Sequence, residues 1–324
     1  DLIEDRADDD LIRQYDPVVM NQFMTVPIGR AEDGTLTVAT SRPGPRTLLH
    51  IREVYGTGVT IVVASHFDVS WQLQRAFREK HSHEAVFALA ELDPDMSAQN
   101  VVTPPQILVI YLLVSALLLG LAFSPMVTLI VLNVFLTVFY TGNFLFKALL
   151  VWLGGAAQET SSRAIAAEAS LLRDEDLPIY TVLVPMFREP EVLPILAQAL
   201  RNLDYPLAKL DIKIVLEEGD HETIDAARKL DLEGVFEIIR VPASHPQTKP
   251  KACNYALQFA RGEYLLIYDA EDKPEPDQLK KVVVTFDRAP DNVACVQCRL
   301  NYFNRDENWL TRLFTLDYSL WFDL

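Results

Sequence analysis

Asp269-Ala270-Glu271-Asp272 places three carboxylates within four residues. Such a cluster repels itself and loses hydration. A hard divalent cation, Mg2+ or Mn2+, relieves both effects and keeps coordination positions open for phosphate oxygens. By residue type alone, Glu271 and Asp272 are equally an acidic cap for a helix starting near Pro276. Upstream, Thr248-Lys249-Pro250-Lys251-Ala252-Cys253-Asn254 opens a helix with lysines, where the positive helix end disfavours cations. A bound anion corrects that mismatch, because free backbone amides at a helix start favour phosphate. Lys251 is therefore the expected diphosphate contact, and Asn254 either orients a ligand or packs. Neither G-x-x-x-x-G-K nor G-x-G-x-x-G occurs, so cation and lysines would have to hold the phosphates.

The elements that must carry these residues alternate between strand and helix. Apolar runs at Ile179–Pro185, Ile212–Glu217, Phe236–Val241, Tyr264–Asp269 and Val293–Phe303 read as strands. Helical patterns lie between them, over Val192–Leu203, Glu222–Leu230, Lys251–Ala260 and Asp277–Arg288. This order predicts an α/β fold with a mostly parallel sheet, which binds ligands beyond the carboxyl ends of its strands. The candidates at those ends are Arg188 and Glu189, Glu217 and Glu218, Lys249 and Lys251, and the acidic cluster at Asp269. Cys295 and Cys298 form a C-x-x-C, but on a strand residues three apart face opposite ways and do not chelate one ion.

Charge divides the 324 residues into three blocks. Residues 1–100 carry 9 basic and 16 acidic side chains, residues 101–157 only Lys147, and residues 158–324 carry 19 basic and 29 acidic. The net charge of −16 argues against nucleic acid as a partner, and three cysteines do not make a disulfide scaffold. The acidic start is not a signal peptide. Gln106–Phe123 and Met126–Phe146 are uncharged runs, each long enough to cross a bilayer core of roughly 30 Å, with Ser124-Pro125 between them. Lys147, Arg163 and Arg173 follow the second run, so the positive-inside rule places both soluble blocks in the cytoplasm, on an inner or plasma membrane. Asn133 and Asn143 are expected to hydrogen-bond a neighbouring helix. Trp309–Leu324 is an amphipathic aromatic helix for a membrane interface or a protein neighbour. The expected division is 1–100 a small α/β docking or regulatory domain, 104–153 two membrane helices, 154–176 a linker or interface helix, and 177–324 the α/β catalytic block.

In the first block, Met24–Ile28 and Thr35–Ala39 flank the turn Glu32-Asp33-Gly34, and Arg46–Tyr55 is a helix stopped by Gly56. Thr60–Ala64 is a strand, and Asp68 or Ser70 caps a helix running to about Lys80. His81 and His83 fall in a stretch that reads as solvated surface. From Leu11 to Phe87 this pattern resembles the N-terminal domain of type II secretion and pilus ATPases. Some members of that family bind a cyclic dinucleotide through an arginine–leucine–glycine signature, which does not occur here. The resemblance thus implies a protein partner or, without its signature, a cyclic dinucleotide.

The string TKPKACNYAL…ARGEYLLIYDAEDKPEPDQL, preceded by VLVPMFREP and VLEEGDHET, resembles the processive family 2 glycosyltransferases of the cellulose-synthase type, from about Pro178 onward. The resemblance implies a GT-A fold on a membrane domain and inverting transfer from a nucleotide diphosphate sugar, UDP-glucose by expectation. Asp269 and Glu271 stand at the family's D-x-D, with Asp272 as an extra acid, giving Asp269, Glu271 and Asp272 as the metal set. Glu189, Glu217, Glu218, Lys251, Asn254 and Asp269 are the implied donor contacts; Glu217 or Glu218 replaces the family's aspartate at uracil or ribose. The partners implied are the UDP-sugar, a growing glycan acceptor and membrane lipid. The T-E-D that holds the family's general base, and its Q-x-x-R-W, are absent up to Leu324. The expectation is therefore an N-terminal portion of a longer polysaccharide-making enzyme, carrying the donor half and inactive alone. A membrane adaptor retaining a transferase fold, and a single-transfer enzyme building a lipid-linked sugar, are the alternative readings.

Overall fold

The computed structural model describes residues 7–99, 101–154, 158–230, 236–300, 302 and 304–322. Asn301 and Phe303 of the expected fifth strand, the segment Asp1–Arg6, and Asp323 and Leu324 lie outside the described residues. The chain forms two compact units, the first reaching to Met96 and including Arg173–Pro276, the second holding Ser97–Leu172 and the residues from Asp277.

The first unit begins with α1 (Asp9–Ile12), α2 (Pro17–Phe23), β1 (Thr25–Arg30), β2 (Leu36–Thr40), α3 (Pro45–Tyr55), β3 (Val59–Val63), α4 (His66–Ala76) and α5 (Arg78–Leu92). β1 and β2 pair antiparallel around the predicted turn, where the Asp33 carboxylate accepts from Thr35 N (2.9 Å) and Gly34 takes φ +83°. β3 joins β2 in parallel, and Gly56 ends α3 at φ +95°. Apolar side chains from these elements, among them Ile12, Met20, Val26, Val69, Leu73 and Phe77, close one core. The single helix expected up to Lys80 is two helices. Ser65, rather than Asp68 or Ser70, caps the first by accepting from Asp68 N (3.0 Å). The helix breaks at Phe77, whose ring is buried in the core and whose backbone leaves helical geometry (φ −104°, ψ 14°).

After α6 (Pro104–Phe123), α7 (Pro125–Gly154) and α8 (Gln158–Ala169), which belong to the second unit, the rest of this unit is β4 (Tyr180–Met186), α9 (Leu193–Arg201), β5 (Leu210–Glu217), α10 (His221–Lys229), β6 (Phe236–Val241), α11 (Lys249–Leu257) and β7 (Tyr264–Ile267). The four strands form an all-parallel sheet in the order β6-β5-β4-β7. This is the α/β architecture with a parallel sheet that the strand–helix alternation predicts. Gly262 is required at the entry to β7, since a Cβ there would lie 2.4 Å from Thr181 N.

Two features hold the N-terminal elements onto this sheet. Lys213, in the middle of β5, is fully buried (0%) between Asp211 (3.2 Å) and Glu237 (2.6 Å). Arg261 and Thr181 also reach Asp211, and His66 and Ser70 from α4 reach Glu237. Burial pushes the Asp211 and Glu237 carboxyls up, but the adjacent cations outweigh it and hold both below the usual range. The second feature is α5 lying on α11, where Ala85 belongs to the same core cluster as Ile239, Val241, Tyr255 and Phe259. His81 is buried here (4%) against the rings of Phe77, Tyr255 and Phe259, which corrects its reading as a solvated residue; His83 is exposed. The cause is helical phase, because His81 and Ala85 lie four apart on the face turned toward α11.

The second unit contains α6 (Pro104–Phe123), α7 (Pro125–Gly154), α8 (Gln158–Ala169), α12 (Gln278–Arg288) and α13 (Trp309–Phe322). Thr103 and Gln106 form a capping box at the start of α6, and Ser124-Pro125 ends one helix and begins the next. Gly120 lets the two approach, since a Cβ there would lie 2.6 Å from Thr128 Oγ1. Pro104–Phe123 and Pro125–Leu150 are long and apolar enough to span a bilayer, and no residue in the most apolar window of either is fully buried within the protein. α8 packs with α12, where Arg288 pairs with Glu168. Val293–Leu300, expected as a fifth strand, is irregular and largely exposed. β propensity is expressed only through cross-strand pairing, and among the described residues no strand pairs with this run.

Two measurements check these forces. Lys213→Ala removes the one cation shared by two buried carboxylates, leaving Asp211 to Arg261 and Glu237 to His66 and Ser70, and is expected to cost about 3 kcal/mol, read as a fall in the melting temperature of the full-length protein. Desolvation holds the His81 imidazole down to about 4, so the folded protein resists a proton that the unfolded chain accepts near 6.5. That stability is intact above about 6.5 and is lost as pH falls toward 4, by roughly 3 kcal/mol in all. Melting curves of His81→Phe are expected to be flatter than wild type across that window.

Candidate functional site at the carboxyl edge of the parallel sheet

The polar residues predicted at the strand ends do gather at one edge, but in separate pairs. α11 begins at the N-cap Thr248, whose hydroxyl accepts from Lys251 N (3.4 Å). Both lysines of this opening turn are matched by the protein's own carboxylates. Lys251 is turned inward (2% exposed), 3.1 Å from Glu217 Oε1, and its ammonium also donates to the carbonyls of Pro242 and Ser244 (both 3.4 Å). Lys249 is half-exposed and pairs with Asp269. The electrostatic mismatch legible in the sequence is thus met by Glu217 from β5 and Asp269 from the end of β7.

The acidic cluster is tied into a tight turn. Asp269 N donates to Asp272 Oδ2 (2.8 Å), and Asp272 N returns a bond to Asp269 O (3.0 Å). Asp272 is partly buried, and that burial raises its carboxyl pKa against the opposing pull of Lys249. Asp269 and Glu271 are exposed. Among the described residues, no three His, Cys, Asp or Glu side chains converge as a ready metal cage. The donor set nonetheless fits a hard cation, since Asp269 and Asp272 share one turn and the Lys249 ammonium already stands as a positive charge against Asp269.

The remaining predicted contacts are placed differently. Glu189 is exposed on the loop after β4. That loop is pinned by Asp220, which the sequence reading did not single out. Its carboxylate accepts from Arg188 N (2.6 Å) and Thr223 N (3.2 Å), and these bonds outweigh burial to lower its pKa. Arg188 takes φ +57°, a conformation that costs a non-glycine residue on the order of 1 kcal/mol and is held by that bond. The signal available was positional, an aspartate directly before a helix and three residues ahead of Thr223. Glu218 points away from Glu217 and forms a two-pronged pair with Arg78 of α5. Asn254 donates to Ala85 O (3.0 Å) on the same helix. Cys253 is buried and its thiol pushed up by burial, so it is a packing residue.

The family model for glycosyl transferase family 2 matches residues 181–323, and that for the MshEN domain matches residues 1–83. Beta-monoglucosyldiacylglycerol synthases of Trichormus variabilis and of a Nostoc species are each 29% identical over 149 residues, 45% of this chain and 31% of theirs. The aligned stretch thus spans about a third of the length of these curated relatives. Among solved structures, the mannosyltransferase PcManGT from Pyrobaculum calidifontis, in complex with GDP-Man and Mn2+, is 24% identical over 48% of this chain and 47% of its own, with a TM-score of 0.35. S. aureus TarS in complex with UDP-GlcNAc is 21% identical over 33% of this chain and 31% of its own, at 0.28. The chain thus carries a stretch similar to the MshEN domain and, further on, one similar to glycosyl transferase family 2.

Proposed function

We propose that this chain carries the donor site of a membrane-attached, inverting glycosyltransferase that takes a hexose from a nucleotide diphosphate sugar, UDP-glucose by first choice. The observation that carries the reading is the Lys249–Asp269–Asp272 group at the carboxyl edge of a parallel sheet, within residues matched by the family 2 model. A parallel sheet offers its ligand edge there, and transfer loads negative charge onto the leaving diphosphate. Asp269 and Asp272, with Glu271 beside them, are the residues that would hold Mg2+ or Mn2+; such an ion supplies positive charge to the diphosphate. Lys249 is exposed enough to move from Asp269 onto a phosphate oxygen. Lys251 holds the Glu217 carboxylate in place, and Glu217, Glu218, Asn254 and Glu189 border the space for the nucleoside and sugar. The two apolar helices would seat the enzyme in the inner membrane, both soluble parts on the cytoplasmic side. A base to deprotonate the acceptor hydroxyl is also required, and the described residues supply no obvious one.

Two acceptors fit. The resemblance of the motifs to cellulose-synthase-type enzymes favours a growing polysaccharide. The relatives named as beta-monoglucosyldiacylglycerol synthases favour a single transfer to a lipid. Full-length protein in liposomes, given labelled UDP-glucose, separates the two, because the lipid product extracts into organic solvent and the polymer does not. Asp269→Asn is expected to reduce transfer more than about 100-fold with the melting temperature unchanged, since an exposed ion pair contributes little to stability. Transfer at the wild-type rate by this variant refutes the assignment and returns the chain to the adaptor reading.

A further inference from the structure

Glu218 is one of two carboxylates at the end of β5, and the two are held in different ways. Glu217 is buried on Lys251. Glu218 stays substantially exposed and is gripped by Arg78, with Nη1 on Oε1 at 3.0 Å and Nη2 on Oε2. Arg78 is the first residue of α5, so the grip comes from the N-terminal block and not from the sheet. The guanidinium is set by its helix, which is anchored to α11 by Asn254 on Ala85 O and by the buried His81 against Tyr255, and to the loop before α11 by Ser82 on Ser244 (3.1 Å). Arg78 and Glu218 both line a cavity of about 170 Å3 together with Trp71, Arg240 and Tyr255.

The geometry points to Arg78 as a positioning residue of the donor site, contributed by the N-terminal block, which orients Glu218 for a nucleotide sugar. A two-pronged guanidinium engages one lone pair on each carboxylate oxygen and leaves the others free to accept from a ligand N–H or O–H. It also removes the rotational freedom that an exposed glutamate would otherwise lose on binding. Arg78 does not touch the donor in this scheme; it acts through Glu218. The N-terminal block is then part of the donor site's support and not a tethered accessory. This inference rests on the glycosyltransferase reading above.

The test uses full-length protein, with KM for UDP-glucose and kcat measured alongside calorimetric binding of UDP with Mn2+ and thermal melts. Arg78→Ala is expected to raise KM and weaken UDP binding about fivefold to tenfold with kcat within about twofold, and Arg78→Lys to recover part of the loss. The exchange Arg78→Glu with Glu218→Arg restores an ion pair between the same helices, and with it the melting temperature, but leaves KM high because the acceptor oxygens are on the wrong side. An unchanged KM in Arg78→Ala overturns the proposal, as does an exchange variant with wild-type KM, which would mean that the pair only docks the two parts. Failure of the wild-type protein both to bind UDP and to transfer sugar overturns the glycosyltransferase reading itself, and the role of Arg78 with it.

Discussion

The ammonium of Lys213, sealed between Asp211 and Glu237, is the interaction on which the first unit depends. Taken singly, each of these charges would be expelled from a sheet interior. Together they draw in Arg261 from the approach to β7, Thr181 from β4, and His66 and Ser70 from α4. Strands β4 to β6, the approach to β7 and the N-terminal block therefore meet at one electrostatic knot. A hydrophobic core would tolerate small slips between these parts. A knot of paired charges does not, because any displacement that lengthens one pair leaves a buried ion without a partner.

Rigidity at that level matters for the opposite edge of the sheet. There the charges are also paired, but less completely desolvated. Glu217 with Lys251 is nearly buried, whereas Asp269 with Lys249 faces solvent. The gradient separates a fixed pair from an exchangeable one. An exposed ion pair is worth little in water, so Lys249 can leave Asp269 for a phosphate oxygen at small cost, and Asp269 can accept a different cation. The buried pair gains nothing comparable from exchange and serves to hold the end of β5 in place.

Much of this was legible in the sequence, and what was missed has common causes. Apolar runs bounded by turn residues gave the parallel strands, with Phe236–Val241 matched at both ends. The Ser-Pro break gave the helical hairpin. Lys213 was passed over because a lysine inside IKIVLE breaks the apolar run without showing which carboxylates it meets; Glu237 is 24 residues away. His81 was misread because its surroundings in sequence are polar, while its burial comes from Tyr255 and Phe259, far along the chain. The run Val293–Leu300 has the composition of a strand but no pairing neighbour among the described residues. Local pattern reports local structure; docking between distant segments is written in no single window.

The same point governs the site. Lys249, Lys251, Glu217 and Asp269 could be picked from residue type and position at strand ends, because a parallel sheet presents that edge whatever its sequence. Which lysine meets which acid could not, since it depends on the side to which α11 presents each side chain. Lys251, two residues into the helix, is carried inward to Glu217, while Lys249 remains at the rim. The inward lysine is the better-ordered charge and the outward one the more available. For the proposed transfer, which must bind a diphosphate and then release it, availability is the property that counts. An ammonium saturated by a carboxylate and two carbonyls has less to gain from a phosphate than one held by a single exposed carboxylate.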